Sequence, residues 1–148
     1  MVATVIDLYA RTLVGWAMGE HMHSSLIIEA LHMARNKRAS LSGAIFHSDR
    51  GSQYASDAFT EQLKQYGMIQ SMSAKGNCYD NAVAESFFHT LKTELVHHMI
   101  FYTIQEAIEE ITHYINFYNR YRMHSYNDYF SPMEKEYRWW QSQMKIVA

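Results

Sequence analysis

The hydrophobic pattern changes period several times along the chain. Val2 to Ile6 is apolar and β-branched, Leu13 to Met18 is a second apolar run, and Asp7-Leu8-Tyr9-Ala10-Arg11 lies between them. That order predicts an antiparallel hairpin. From Ser24 the period becomes helical, with Leu26, Ile27, Ala30, Leu31 and Ala34 on one face behind a serine N-cap and a basic end at Arg35, Lys37 and Arg38. Ala44 to His47 predicts a short buried strand that runs into Ser48-Asp49-Arg50-Gly51, where glycine permits a sharp turn. A helix from Ser56 or Asp57 buries Phe59, Leu63 and Tyr66 and stops at Gly67, and Met68 to Met72 returns as a strand. Strand, helix, strand implies a parallel crossover.

The second half is helical. After the loop from Ser73 to Tyr79, either Asp80 or Asn81 caps a helix carrying Ala82, Ala84, Glu85, Phe88, Leu91 and Leu95. Thr103 and Glu106 form a capping-box signature. They open a helix whose apolar face holds Ile104, Ala107, Ile108, Ile111, Ile115 and Tyr118. A loop from about Arg120 to Phe130 precedes Ser131-Pro132, where proline suits the first turn of a short last helix through Glu136 and Trp139. The class is mixed α/β with a helical C-terminal tail.

Composition narrows this picture without redirecting it. A chain of 148 residues, 48% hydrophobic and 19% charged, has the size of one domain with a real core. The expectation is a single domain over 1–148, with 103–148 as its helical C-terminal part. One proline and six glycines leave no linker or low-complexity stretch, and the single cysteine, Cys78, excludes an internal disulfide framework. No apolar run reaches the roughly 20 residues that span a bilayer, and a secretion signal is not visible at the N-terminus, so the expected compartment is the cytoplasm and no membrane partner is expected. The net charge of −2 gives the chain no general pull toward polyanions.

Two acids stand apart in this framework. Asp49 lies at a strand's end and Glu85 on the first turns of a long helix, with 35 residues between them. Spacing alone is compatible with two solvated surface carboxylates, but the words around them are more specific. His47-Ser-Asp-Arg-Gly-Ser-Gln-Tyr54 and Ser73-Ala-Lys-Gly-Asn-Cys-Tyr-Asp-Asn-Ala-Val-Ala-Glu-Ser-Phe-Phe-His-Thr-Leu-Lys92 resemble the two signature blocks of bacterial DDE-type transposases of the insertion sequence 3 family. Their catalytic frame is similar to retroviral integrase. Asp7-Leu-Tyr-Ala-Arg and Val14-Gly-Trp16 resemble that family's second and third strands, and Tyr118-Asn-Arg-Tyr-Arg-Met-His124 with Ser131-Pro132 resembles its C-terminal signature.

The resemblance implies a ribonuclease H-like mixed sheet with flanking helices. It also implies DNA transposition or integration by two-metal-ion phosphoryl transfer, with element-end and target DNA as partners and a homo-oligomer as the working form. Two hard cations, Mg²⁺ or Mn²⁺, are held by three acids in that family. By position Asp49 is the second acid and Glu85 the third. In relatives the first acid lies on the first strand, roughly twenty residues before the block matched by Asp7, so this chain is expected to start after it and to lack the first strand. The sheet would then close the gap, exchange a strand with a neighbour or be altered. Asp7 is an alternative metal ligand, although it aligns beyond the second strand and shaping the turn with Arg11 accounts for it. With the first acid absent, an inactive chain is one expectation, and the rival reading is a non-catalytic remnant that binds DNA or dimerises.

Candidate DNA contacts follow from charge and from the resemblance. His89 and Lys92 lie four and seven residues after Glu85, near its face of the helix. Lys75 and Asn77 precede that helix, and Arg120 and Arg122 belong to an aromatic-basic run with Tyr118, Tyr121, His124 and Tyr126 that offers stacking and ion pairing. An ordinary polar helix face and packing of the helical tail are the plainer accounts. His47, two residues before Asp49, offers a possible transition-metal pair, and His21 with His23 and His97 with His98 are further short histidine pairs without a third ligand.

Overall fold

The computed structural model describes residues 1–74 and 81–146. The chain order is β1 (Val2–Asp7), β2 (Thr12–Met18), α1 (Ser24–Lys37), β3 (Ile45–Ser48), α2 (Asp57–Gln65), β4 (Ile69–Met72), α3 (Ala82–Glu94), α4 (Ile104–Arg120) and α5 (Pro132–Ile146). Short 3₁₀ turns cover Val96–His98 and Ser125–Asn127. The chain divides into two compact units: a strand-bearing unit of Met1–Ile6 and Val14–Phe87, and a helical unit of Asp7–Leu13 and Phe88–Ala148. Among the described residues no helix is long and apolar enough to cross a membrane.

In the strand-bearing unit, β1 and β2 form the predicted hairpin, closed by reciprocal bonds in which the Met1 ammonium donates to the Gly19 carbonyl at 2.6 Å and the Gly19 amide to the Met1 carbonyl at 3.1 Å. Helix α1 lies against β2 with backbone almost touching backbone. A Cβ at Gly15 would fall 2.0 Å from the Ala30 carbonyl oxygen, so only glycine fits there, opposite Ala30 and Ala34. Around this contact Ala3, Ala17, Leu26, Ile27, Leu31, Phe46, Phe59 and Leu63 form the core. The expected serine cap of α1 is corrected: the capping position is His23, without a side-chain bond, and Ser24 is the first helical residue. Ser56 does cap α2, its side chain accepting from the Phe59 amide, and Gly67 ends the turn beyond α2 at φ +69°.

Strand β3 pairs with β4 in parallel, in the register Ile45 to Ile69 through Ser48 to Met72, as the crossover rule predicts. One expectation changes here. Among the described residues the strands form two separate two-stranded sheets, β1-β2 and β3-β4, in place of one mixed sheet. The β3-β4 pair is not the fully buried ribbon its apolar sequence predicts, because Ile45 and Ile69 are 67% and 56% exposed on one face while Phe46 is buried on the other. Parallel strands are ordinarily covered on both faces.

The helical unit is organised by α4. Thr103 accepts the Glu106 amide as predicted, while the Glu106 carboxylate takes the Tyr102 amide. Its inner face is Ile111, Tyr114, Ile115 and Tyr118. Ile104, expected inside, is 56% exposed because the helix packs from its second half. The inner face of α3 is also shifted, with Phe87 and Leu91 buried where Phe88 and Leu91 were expected. Helix α5 begins at Pro132 as predicted but continues to Ile146, well past the short segment expected, and is exposed from Tyr137 to Met144.

The segment 7–13 is held by side-chain amides within this unit. Asn119 acts as a strand partner for Leu13, accepting its amide at 2.9 Å and donating to its carbonyl at 2.9 Å. Asn127, fully buried, donates to the Ala10 carbonyl at 2.7 Å, and Thr12 donates to Glu136 at 2.6 Å. Arg11, in the left-handed region at φ 62°, lays its guanidinium over the Tyr126 ring.

Candidate carboxylate site

Asp49 follows β3 directly, and its position is fixed by its own turn. One carboxylate oxygen accepts the Gly51 amide at 2.8 Å, and the Tyr54 amide bonds back to the Gly51 carbonyl at 3.0 Å. Such a turn is the usual use of aspartate at a strand end. It leaves the second oxygen of the carboxylate to other partners. The turn is pinned from below by Tyr54, whose ring packs edge-on against Phe59 and tilted against Phe46, the two core rings themselves lying 5.2 Å apart. Burial and, secondarily, the negative charge of Asp49 push the Tyr54 phenol above its ordinary pKa, so it stays a neutral neighbour of the carboxylate.

On the other side of Asp49 runs a short polar network. His47 reaches Ser71 Oγ through Nδ1 at 3.0 Å and Ser73 Oγ through Nε2 at 3.2 Å. Ser73 also contacts Asn81 Oδ1 at 3.2 Å, and Asn81 immediately precedes α3. Glu85 stands one helical turn after Asn81, on the first turn of α3, and is exposed like Asp49. Exposed carboxylates present hard oxygen donors, the type that suits Mg²⁺ or Mn²⁺. Number is the shortfall. No group of three histidine, cysteine, aspartate or glutamate side chains among the described residues could hold a metal ion.

The remaining sequence candidates have surroundings of their own. Asp7 accepts the Tyr9 amide at 2.9 Å, the turn-shaping role expected of it, and belongs to the helical unit. His89 and Lys92 are exposed farther along α3. Arg120 is exposed at the end of α4, whereas Arg122 grips Glu94 through Nη2 at 2.6 Å and through Nε at 3.0 Å. Both ring nitrogens of His47 are used by serines. Lys75, Asn77, Cys78, Tyr79 and Asp80 lie outside the described residues. Ser71, Ser73 and Arg50, absent from the sequence candidates, are the unforeseen members of the surroundings of Asp49. Serine near an acidic motif carries no signal by itself.

Comparison with known proteins bears on what these surroundings belong to. An integrase core domain family matches residues 1–78, and a second integrase core domain family matches residues 85–139. The chain belongs to the integrase core domain family. This integrase core is similar to the transposase for insertion sequence element IS904 of Lactococcus lactis subsp. lactis, with 45% identity over 135 residues, 90% of this chain and 53% of the relative. It is also similar to transposase InsF for insertion sequence IS3A of Escherichia coli, 44% identical over 135 residues, 90% of this chain and 47% of the relative. The integrase core spans about half the length of these curated relatives. Among solved structures it resembles a chain of the simian T-cell lymphotropic virus intasome in complex with the PP2A regulatory subunit B56 gamma. That match has a TM-score of 0.59 at 17% identity and covers 83% of this chain and 48% of that one. The likeness is one of fold.

Proposed function

We propose that this integrase core carries out DNA transposition, cutting and joining DNA strands at element ends by divalent-metal-assisted phosphoryl transfer. The observation that carries the reading is the 44–45% identity to insertion-sequence transposases over 90% of the chain. Asp49 and Glu85 are two of three acids in a ribonuclease H-like catalytic frame. Bound divalent ions would activate the attacking oxygen and stabilise the leaving one. The chain's own contribution is to hold the two carboxylates on rigid elements and to keep Tyr54 neutral beside Asp49. Asp7 is a weak candidate for the remaining acid, because its carboxylate closes its own turn. Lys92, His89, Arg120, Lys75 and Asn77 are the DNA-facing set, and the working form is a homo-oligomer on element ends and target.

The test is metal-dependent strand transfer on element-end DNA, comparing this chain with a version extended at its N-terminus through the first acid. The extended version joins DNA in Mg²⁺ or Mn²⁺, and Asp49→Asn and Glu85→Gln each reduce joining to background. Activity that survives both substitutions overturns the reading. A second reading, a non-catalytic module that binds DNA or dimerises, draws on the lack of a three-ligand group among the described residues. DNA binding without strand transfer by the extended version would favour it.

A further inference from the structure

Ser73 lies just past β4, is 5% exposed, and has its amide, carbonyl and hydroxyl all engaged. Its amide donates to the Ser48 carbonyl at 2.9 Å, and its carbonyl accepts Arg50 Nε at 2.8 Å. The backbone of Ser73 thereby grips both chain neighbours of Asp49. Its hydroxyl lies 3.2 Å from each of the Ser48 carbonyl, Asn81 Oδ1 and His47 Nε2. With Nε2 protonated, His47 donates to this hydroxyl and accepts from Ser71 through Nδ1, and the hydroxyl proton is shared between Ser48 and Asn81. Asn81 and Glu85 are four residues apart, so they share one face of the helical start.

A buried hydroxyl costs free energy unless it is bonded. Alanine would fill nearly the same space, so packing alone does not call for serine at this position. We propose that Ser73 is a positioning residue that sets the Asp49 turn against the first turn of α3, and so fixes how closely the Asp49 and Glu85 carboxylates approach. The consequence for a metal ion rests on the transposase reading. The positioning itself does not.

Two measurements on this chain separate those claims. Amide hydrogen exchange in Ser73→Ala is expected to speed up about five- to tenfold at Gly51 and Tyr54 and at Ser86 and Phe87, as for the loss of one net hydrogen bond, while Ile27 and Leu31 in α1 are unchanged. Unchanged protection at both segments, or equal acceleration in α1, overturns the proposal. Asn81→Ala, at a half-buried position, cuts the same link from the other side and serves if Ser73→Ala does not fold. Mn²⁺ binding, followed by water-proton relaxation, is expected to weaken several-fold in Ser73→Ala, to recover in Ser73→Thr and to show no further weakening when Ser73→Ala is added to Glu85→Gln. Additive weakening in that double variant contradicts the positioning role. If Mn²⁺ binding does not depend on Asp49 even in the N-terminally extended chain, the transposase reading fails, and the exchange experiment still decides for or against Ser73.

Discussion

The two units use polar side chains in opposite ways. In the strand-bearing unit Asp49 and Glu85 stand exposed, and the groups around Asp49 bond to its turn and its neighbours. In the helical unit Asn119 and Asn127 are buried, and their amides bond to backbone groups of Leu13 and Ala10. Polar groups that perform chemistry must remain reachable, whereas polar groups that replace missing backbone partners must be enclosed, where an unmade hydrogen bond is expensive. Exposure leaves Asp49 and Glu85 reachable for the chemistry proposed above, whereas Asn119 and Asn127 serve the architecture of their unit.

Substitutions can break this contrast. The largest expected effect is on the platform beneath Asp49: Phe59→Ala removes a fully buried ring and should cost about 3–5 kcal/mol in urea unfolding. It should also loosen Tyr54, visible as loss of its near-ultraviolet circular dichroism. Asn119→Ala leaves the Leu13 amide and carbonyl unpaired and should cost about 2–3 kcal/mol, without altering any property that depends on Asp49. A smaller effect is pH-dependent. His124 Nε2 is buried without a hydrogen-bond partner, and burial followed by the charge of Arg122 lowers its pKa to about 4 from 6.5. A histidine with a depressed folded value stabilises the fold fully above its unfolded value and loses that contribution as pH falls from about 6.5 toward 4. The urea midpoint should drop across that window, and His124→Gln should flatten the slope. The smallest effect is Glu94→Gln, about 1 kcal/mol or less, because the Arg122 pair is partly exposed at 27% and 38%.

How much of this was legible in the sequence follows from the same physics. Among the described residues the pattern located the four strands and α1 to α4, since alternation and helical spacing are imposed by burial on one face, but it underestimated the length of α5. It could not show that Ile45 and Ile69 would sit on an uncovered face, because an apolar residue reads the same whether or not anything covers it. Asp49 and Glu85 were singled out by the particular words around them. Ser73 was not, because its role arises from bonds to residues before and after it in the chain, His47 and Asn81, that no local pattern announces. Asn119 and Asn127 were hidden for a further reason: asparagine in a helix tail or loop ordinarily signals solvent or a turn. Arg122 was placed with the DNA contacts by its charge, whereas a bidentate bond to Glu94, 28 residues earlier, occupies it.

The central claim is that Asp49 and Glu85 share a divalent ion. Crystals of the N-terminally extended chain grown with Mn²⁺, measured at a wavelength where manganese scatters anomalously, test it directly. The account predicts an anomalous peak within bonding distance of both carboxylates, lost in Asp49→Asn. Carboxylates more than about 10 Å apart, too far to share ions roughly 4 Å from one another, or a peak at some other cluster of ligands, would contradict it.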